Sequence, residues 1–143
     1  MDPLDQQIVT LLAQDARISV AQLARKLGLA RSTVQARLER LETTGAIAGY
    51  TIKLGAEISG ARIRATVLLA VEPRAQGPVL SRLKALPAVE AAHTTSGRFD
   101  LLLQVAAETT SALDAMLDRI GEIPGVRSSE SLIHLSTRID RAL

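Results

Sequence analysis

Hydrophobic positions at helical spacing divide residues 1–45 into three short helices. The first begins with Asp2 as N-cap and Pro3 at the first helical position. The second begins at Ser19, whose spacing to Gln22 is that of a capping box, and it ends at Gly28. The apolar stripes of the three helices are Leu4, Ile8, Leu11 and Leu12; Leu23, Ala24 and Leu27; and Val34, Leu38 and Leu41.

The second and third helices, joined by a short turn at Gly28, form the pattern of a helix-turn-helix motif. Ala24 is a small residue where the two helices would cross, Val34 anchors the third helix, and that helix ends before Gly45. The first helix completes a minimal core. Any small helical bundle with a glycine turn would share these features, so the residues by themselves leave that alternative open.

Beyond Gly45 the pattern changes to alternating apolar and polar positions, with apolar residues at Ile47, Tyr50, Ile52 and Leu54. Alternation of this kind predicts extended chain. We therefore expect a helix-turn-helix domain over residues 1–45, a linker strand over residues 46–60, and a second domain over residues 61–143.

The second domain shows strand and helix patterns in the order βαββαβ, which is the split βαβ or ferredoxin-like arrangement of an α+β fold. A turn at 96–98 makes a hairpin of the second and third strands. The predicted strands span residues 61–71, 89–95, 99–105 and 126–137, and the predicted helices contain residues 79–86 and 111–123.

Several of these strands are apolar on both faces, as at Leu68 and Leu69, residues 101–103, and Leu132 and Ile133. Helices cover one face of such a sheet, and the chain has too few other residues to cover the second. The pattern therefore predicts an oligomer in which a second copy covers that face.

Composition narrows the range of functions. The 143 residues are 47% hydrophobic and 22% charged, which is typical of a folded globular protein. The absence of cysteine excludes disulfides, cysteine-ligated metals and thiol nucleophiles. Aromatic residues make up 1%, so no platform exists for stacking single-stranded bases. An acidic N-terminus and the lack of a long apolar stretch predict a cytoplasmic protein with no membrane partner.

Three separated stretches resemble the leucine-responsive and asparagine-operon (Lrp/AsnC) family of transcription regulators: LDQQIVTLLAQDARISVAQLARKLGLARSTVQARLERLETTGAIAGY, SGRFDLLLQV and IPGVRSSES. The resemblance extends over essentially all of the chain. It implies an N-terminal winged helix-turn-helix followed by a βαββαβ regulatory (RAM/ACT-like) domain. Two departures are Ala30, where a Ser cap is usual, and Ser96, where Thr is commoner. Without the cap, capping could shift to Ser32 and fray the first turn.

The third helix would be the recognition helix, and the side opposite its apolar stripe would enter the major groove. Gln35 could bond adenine, Ser32 and Thr33 could bond bases or phosphates, and the Ala36 methyl could contact thymine. Phosphate contacts are expected from Arg31, Arg37 and Arg40.

The net charge of +2 is too small to indicate a polyanion partner, but cations gather locally. From Arg17 to Arg40 the chain carries six cations and one acid, Glu39. This basic segment is consistent with binding to double-stranded DNA. A homodimer would present two recognition helices to half-sites about one helical turn apart, so we expect a pseudo-palindromic target. Assembly to octamers or other higher oligomers stays open.

The turn Ser96-Gly97-Arg98-Phe99-Asp100 is the predicted effector site. It offers a hydroxyl, backbone amides, a cation and a carboxylate, which together could hold both charged ends of a free amino acid. The resemblance implies that effectors bind between neighbouring dimers at this position. An ordinary hairpin in which Asp100 caps backbone amides is an equally weighted alternative for that residue.

The sequence predicts no metal site, no cofactor and no catalytic residue. His93 and His134, the only histidines, are interpreted as core or interface residues. Two other classes remain to be discriminated: an amino-acid sensor that does not bind DNA, and an enzyme like the tetrapyrrole decarboxylases among relatives of this family. The few His and Tyr side chains disfavour the second.

Overall fold

A computed structural model describes residues 1–141 and divides the chain into two compact units, Met1–Lys53 and Leu54–Asp140. The division falls at residues 53 and 54, whereas the sequence pattern placed the boundary near Gly60. The last two residues of the predicted second domain, 142 and 143, lie outside the described part of the chain.

The first unit contains three helices: α1 (Pro3–Gln14), α2 (Val20–Leu27) and α3 (Arg31–Thr43). Their apolar stripes pack into one core, in which Ile8, Leu23 and Val34 are fully buried. Each such side chain contributes about 1.5–3 kcal/mol relative to an exposed one. Gly28 ends α2 in the left-handed conformation (φ 67°), which permits the tight turn into α3. The predicted helix-turn-helix is confirmed.

The helix starts follow the predicted caps. Asp2 and Asp5 form a capping box on α1, and Ser19 and Gln22 form one on α2. For α3, no side-chain cap is found among the described residues, yet the helix still begins at Arg31. The Ala30 carbonyl accepts hydrogen bonds from the amides of residues 33 and 34 instead. The expected shift of the cap to Ser32 does not occur, and Val34 in the first turn is fully buried.

The predicted linker strand over residues 46–60 is wrong. Residues 46–55 are in neither a helix nor a strand, and Ala56–Ser59 forms a short helix, α4. The hairpin that the winged form of the motif implies is likewise not formed within the described residues of the first unit. A strand needs a neighbour to satisfy its backbone groups, and a single copy of the chain supplies none here.

The second unit is a four-stranded antiparallel sheet with two helices. Its elements are β1 (Ile63–Val71), α5 (Gln76–Lys84), β2 (Val89–Thr94), β3 (Leu101–Ala107), α6 (Thr110–Gly121) and β4 (Val126–Ile133). The strand order is β2-β3-β1-β4, with every neighbouring pair antiparallel. This confirms the predicted α+β, ferredoxin-like arrangement.

Helix α5 differs from its prediction at both ends. It begins one residue before the Gly77-Pro78 pair, because Pro78 is compatible with the first turn of a helix. It ends at Lys84, before Leu86. Helices α5 and α6 contribute to the core through Val79, Leu83 and Ile120, each buried.

The strand pattern separates two faces of the sheet. Leu69, Leu101 and Leu103 belong to the buried core that includes residues of α5 and α6. On the opposite face, Leu68 lies beside Leu102 in the register, and both are half-buried. This open face is mixed rather than uniformly apolar, since its other residues include Thr66, His93, Gln104 and Glu130.

Candidate nucleic-acid interface and effector loop

One side of α3 presents short polar side chains to solvent. Its opposite side is held in the core by Val34 and Leu41, which are 0% and 3% exposed. The structure brings together the exposed residues that the sequence assigned to base recognition: Ser32, Thr33, Gln35 and Ala36. Small and polar side chains on an exposed helix face can approach the edges of bases in a major groove.

Gln35 is already engaged within the helix. Its Nε2 donates a hydrogen bond of 2.9 Å to Oε1 of Glu39, one turn further on. The amide is therefore oriented by Glu39, and its own carbonyl oxygen faces no partner within the described residues. Glu39 also supplies the negative charge at the far end of the exposed face.

Two of the arginines assigned to phosphate contacts bind helix α1 instead. Arg37 Nη1 donates to Oδ2 of Asp2 and, at 3.3 Å, to Oδ1 of Asp5. Arg40 Nη2 donates to the other oxygen of Asp5 at 2.9 Å. The side chain of Arg37 is 28% exposed and its charge is opposed by two carboxylates, so its phosphate role stays a prediction. Arg40, with 59% of its side chain exposed, is less enclosed.

This four-residue ion cluster, Asp2, Asp5, Arg37 and Arg40, affects the ionisation of its members. The hydrogen bond from Arg37, followed by that from the Asp5 amide, lowers the pKa of Asp2 below its ordinary 3.8. The same pairing with Asp2 raises the pKa of Arg37. Asp5 is the buried member at 2% exposure, and both of its carboxylate oxygens accept hydrogen bonds from arginine.

Arg31 is the cation of α3 that remains available. It is exposed in the first turn of the helix and has no acidic partner within residues 1–141. Arg25 and Lys26, in the last turn of α2, are also exposed and without such a partner in the described chain. The cations of α2 and α3 that have no acidic partner among the described residues therefore lie around the turn that joins these two helices.

The predicted effector loop is the exposed connection between β2 and β3. Gly97 adopts φ 118°, which favours glycine, and Ser96 and Arg98 are exposed on either side of it. The Arg98 guanidinium lies 5.6 Å from the centre of the Phe99 ring, within the range of a cation–π contact. Ser96, Gly97 and Arg98 are therefore consecutive exposed residues of this turn.

Asp100 has a structural role in this loop. Its Oδ2 accepts a 2.7 Å hydrogen bond from the amide of Val71, and its own amide donates to the Leu69 carbonyl at 2.8 Å. These bonds join the loop to the end of β1. They correspond to the alternative in which Asp100 caps backbone amides, and they use only one of its two carboxylate oxygens.

The sequence reasoning missed the ion cluster. A signal was present, because Asp2 and Asp5 in one capping box and Arg37 and Arg40 on one helix face have the same spacing of three. Only the packing of α1 against α3 shows that the two pairs meet.

The described residues contain no group of His, Asp and Glu side chains placed to hold a metal ion. Both histidines lie on or beside the open sheet face: His93 lies opposite Leu102, and Nε2 of His134 is 2.8 Å from the Thr66 hydroxyl. Across residues 1–141, none of the helices has the length and hydrophobicity to cross a membrane.

Family models match both parts of the chain. Residues 1–42 match the AsnC-type helix-turn-helix domain, and residues 64–143 match the Lrp/AsnC ligand binding domain. Similar proteins include the HTH-type transcriptional regulator LrpA of Mycobacterium tuberculosis, 31% identical over 93% of this chain and 89% of that protein. The regulator FL11 of Pyrococcus furiosus is 28% identical over 94% of this chain and 89% of its own length.

Solved structures have the same fold over the full length. The structure of AsnC from E. coli matches with a TM-score of 0.90 and 26% identity, covering 100% of this chain and 97% of that one. LrpC of B. subtilis matches with a TM-score of 0.83 and 25% identity, covering 99% of both chains.

Proposed function

Because the chain belongs to the Lrp/AsnC family of transcriptional regulators, we propose that its exposed α3 surface reads a specific DNA sequence and that its 96–100 loop binds the effector that controls this reading. The protein is a transcriptional regulator with a helix-turn-helix DNA-binding unit and a ligand-binding unit. It acts in the cytoplasm, as a regulator and not as an enzyme.

The exposed face of α3 is the observation that carries the proposal for DNA. Gln35 pairs with adenine, Ser32 and Thr33 bond bases or phosphates, and Ala36 contacts a thymine methyl group. The exposure of these side chains beside a buried apolar stripe supports this role.

Phosphate contacts are divided unequally among the arginines. Arg31 binds a phosphate, supported by its exposure and by its lack of an acidic partner within residues 1–141. Arg40 can join it through the exposed part of its side chain, while Arg37 holds α3 in place through Asp2 and Asp5. Most of the sequence-independent attraction to DNA then comes from Arg31 and from the α2 cations Arg25 and Lys26.

The protein functions as a homodimer on a pseudo-palindromic site and assembles further into octamers or other higher oligomers. The half-buried apolar pair Leu68 and Leu102 on the open sheet face supports a second copy there, since one copy leaves this pair partly in water. Two recognition helices then meet half-sites about one helical turn apart.

The effector is a small zwitterion, an amino acid. Arg98, the Ser96 hydroxyl and the amides beside Gly97 face its carboxylate, and the free oxygen of Asp100 accepts from its ammonium group. The shared exposure of Ser96, Gly97 and Arg98 supports this site. Binding shifts the population of assembly states with different affinities for DNA, so DNA occupancy responds to the effector.

Fluorescence anisotropy with a labelled duplex from upstream of the protein's own gene tests this function. We expect tighter, salt-sensitive binding to this duplex than to a scrambled one. Gln35→Ala should reduce the preference, and Gln7→Ala, an exposed glutamine on α1, should not. Equally weak binding of both duplexes at low salt would leave the amino-acid sensor without DNA binding as the better description.

A further inference from the structure

A polar cavity, open to solvent, lies in the second unit, away from the 96–100 loop. Its volume is about 230 Å³, and it forms where the chain before β1 meets the chain after β4. We propose that this cavity binds a small anion, the carboxylate or phosphate group of a ligand. Its principal lining residues are Ser59, Arg62, Arg64, His134, Ser136 and Thr137.

The lining has the chemistry of an anion site. Arg62 and Arg64 supply positive charge, His134 supplies a ring nitrogen, and the three other residues supply hydroxyl donors. None of the described lining residues is acidic. Guanidinium and hydroxyl groups are the donors that bind carboxylate and phosphate oxygens most directly.

Arg64 is held in position before any ligand binds. Its Nη1 donates to the carbonyl and to the hydroxyl of Ser59, at 3.1 and 3.3 Å. Its Nε lies 3.5 Å from Oε1 of Glu90, which offsets part of its charge. A fixed guanidinium loses little conformational freedom when it binds an anion.

Arg62 provides the charge that is not compensated. It has no hydrogen-bond or ion-pair partner within the described chain, unlike Arg64. Glu90 therefore opposes one of two guanidiniums, and the cavity keeps a net positive charge. A bound anion would complete the pairing.

His134 forms one wall of the cavity. Its amide donates to the Arg64 carbonyl at 2.9 Å, which extends the pairing of β4 with β1 beyond the end of the strand. Its Nε2 lies 2.8 Å from the Thr66 hydroxyl, so this contact occupies one of the two ring nitrogens. The ring is therefore oriented by the sheet and not by the loop that follows.

This cavity is distinct from the effector loop. Arg64 lies at the first end of β1, whereas Asp100 is bonded to Leu69 and Val71 at the other end. At about 3.3 Å per residue, the two ends of this strand are roughly 25 Å apart. One amino acid cannot occupy both places. The small volume also selects a single anionic group over a large ligand.

Thermal unfolding of the full chain tests the proposal. Inorganic phosphate and acetate are titrated separately against sodium chloride of equal ionic strength, so that the two anion classes are distinguished. An anion that binds the folded chain raises the melting temperature as its concentration rises. We expect Arg62→Ala to weaken the apparent affinity at least tenfold and Arg62→Lys to recover part of it.

Two control variants separate this site from the other anion-attracting surfaces. Arg31→Ala removes the cation on α3, and Arg98→Ala removes the cation of the effector loop. Both should keep the anion-dependent shift. A shift that is equal in the wild type and in Arg62→Ala, or no shift beyond that of sodium chloride, would overturn the proposal. DNA binding by the same samples is measured separately, because it does not depend on this cavity.

Discussion

The carboxylate of Asp5, on the first helix, accepts a 2.9 Å hydrogen bond from Arg40 on the recognition helix. The same carboxylate, which is buried, also accepts from Arg37, whose second partner is Asp2. The N-terminal capping box of α1 is therefore also the anchor of α3. This arrangement pairs Arg37 and Arg40 with acids and leaves Arg31 without such a partner in the described chain, and the first three predictions follow from it.

Arg31 and Arg37 should differ in the salt dependence of DNA binding. Arg31→Gln removes a phosphate contact, so the slope of log affinity against log salt should become shallower by about 0.9 for each phosphate that is no longer neutralised. Arg37→Gln should leave the slope unchanged while lowering thermal stability, because its guanidinium is bound to Asp2 and Asp5. Anisotropy titrations at several salt concentrations measure both. Equal slope changes in the two variants would refute the division of roles.

Asp5→Asn should destabilise the first unit. The variant loses the charge that balances two guanidiniums at a buried position, and hydrogen bonds between charged groups contribute about 1.5–3 kcal/mol each. Denaturant unfolding monitored by circular dichroism gives the change. Asp114→Asn, at an exposed position on α6, is the matched control and should change stability by less than about 0.5 kcal/mol.

Asp2 should add an acid-sensitive contribution to stability. Its pKa is lower in the folded chain than the ordinary 3.8, chiefly through the hydrogen bond from Arg37. A group of this kind stabilises the fold above its unfolded pKa, and the contribution is lost as pH falls through the folded pKa. Asp2→Ser keeps an N-cap but does not titrate. The stability difference between wild type and Asp2→Ser should therefore shrink below pH 3.8. A difference that stays constant there would contradict the pairing.

Asp100→Asn should separate the two roles of the loop carboxylate. Asparagine keeps an oxygen that can accept from the Val71 amide, so the melting temperature should change little. It lacks the negative charge that would pair with the ammonium group of an amino acid, so effector affinity should fall at least tenfold. Calorimetric titration with amino acids and a thermal melt measure the two quantities. A large loss of stability with unchanged effector affinity would assign Asp100 to structure alone.

Gly125 should tolerate substitution less well than Gly97. Both have positive φ, at 101° and 118°, so alanine is strained at either position. At Gly125 the added Cβ would also lie 2.3 Å from the Cβ of Ala75, whereas at Gly97 nothing lies within 4 Å. Gly125→Ala should therefore lower the free energy of unfolding more than Gly97→Ala. Similar losses in the two variants would show that the backbone near Ala75 moves aside.

The sequence predicted the elements that depend on local chemistry. Asp2, Ser19 and Gly28 mark helix ends by their own side chains or by the lack of one, and they do so in the structure. The order of elements in the second unit was also predictable, because helical and alternating patterns can be distinguished within a few residues.

The linker was predicted incorrectly because alternating apolar and polar residues indicate only that a segment is able to form a strand. They do not show that a partner strand is present. Ile52 is 78% exposed in a segment without strand pairing, since a strand forms only where another strand accepts its backbone hydrogen bonds. The sequence likewise predicted an apolar second face of the sheet, but it did not contain the pairing of the strands. In the observed register, Thr66 and Gln104 lie on that face beside Leu68 and Leu102.

By itself, the sequence determined the three N-terminal helices, the βαββαβ order and the exposed residues of α3, because these follow from periodicity and caps within single elements. Only the tertiary structure decided that Arg37 pairs with Asp2 and Asp5. It also decided that Asp100 accepts from the Val71 amide and that Arg62 and His134 line one cavity. Each of these relationships joins residues far apart in the chain. Their polar groups interact only after packing brings them within a few ångströms, and no local sequence pattern shows which residues will come that close.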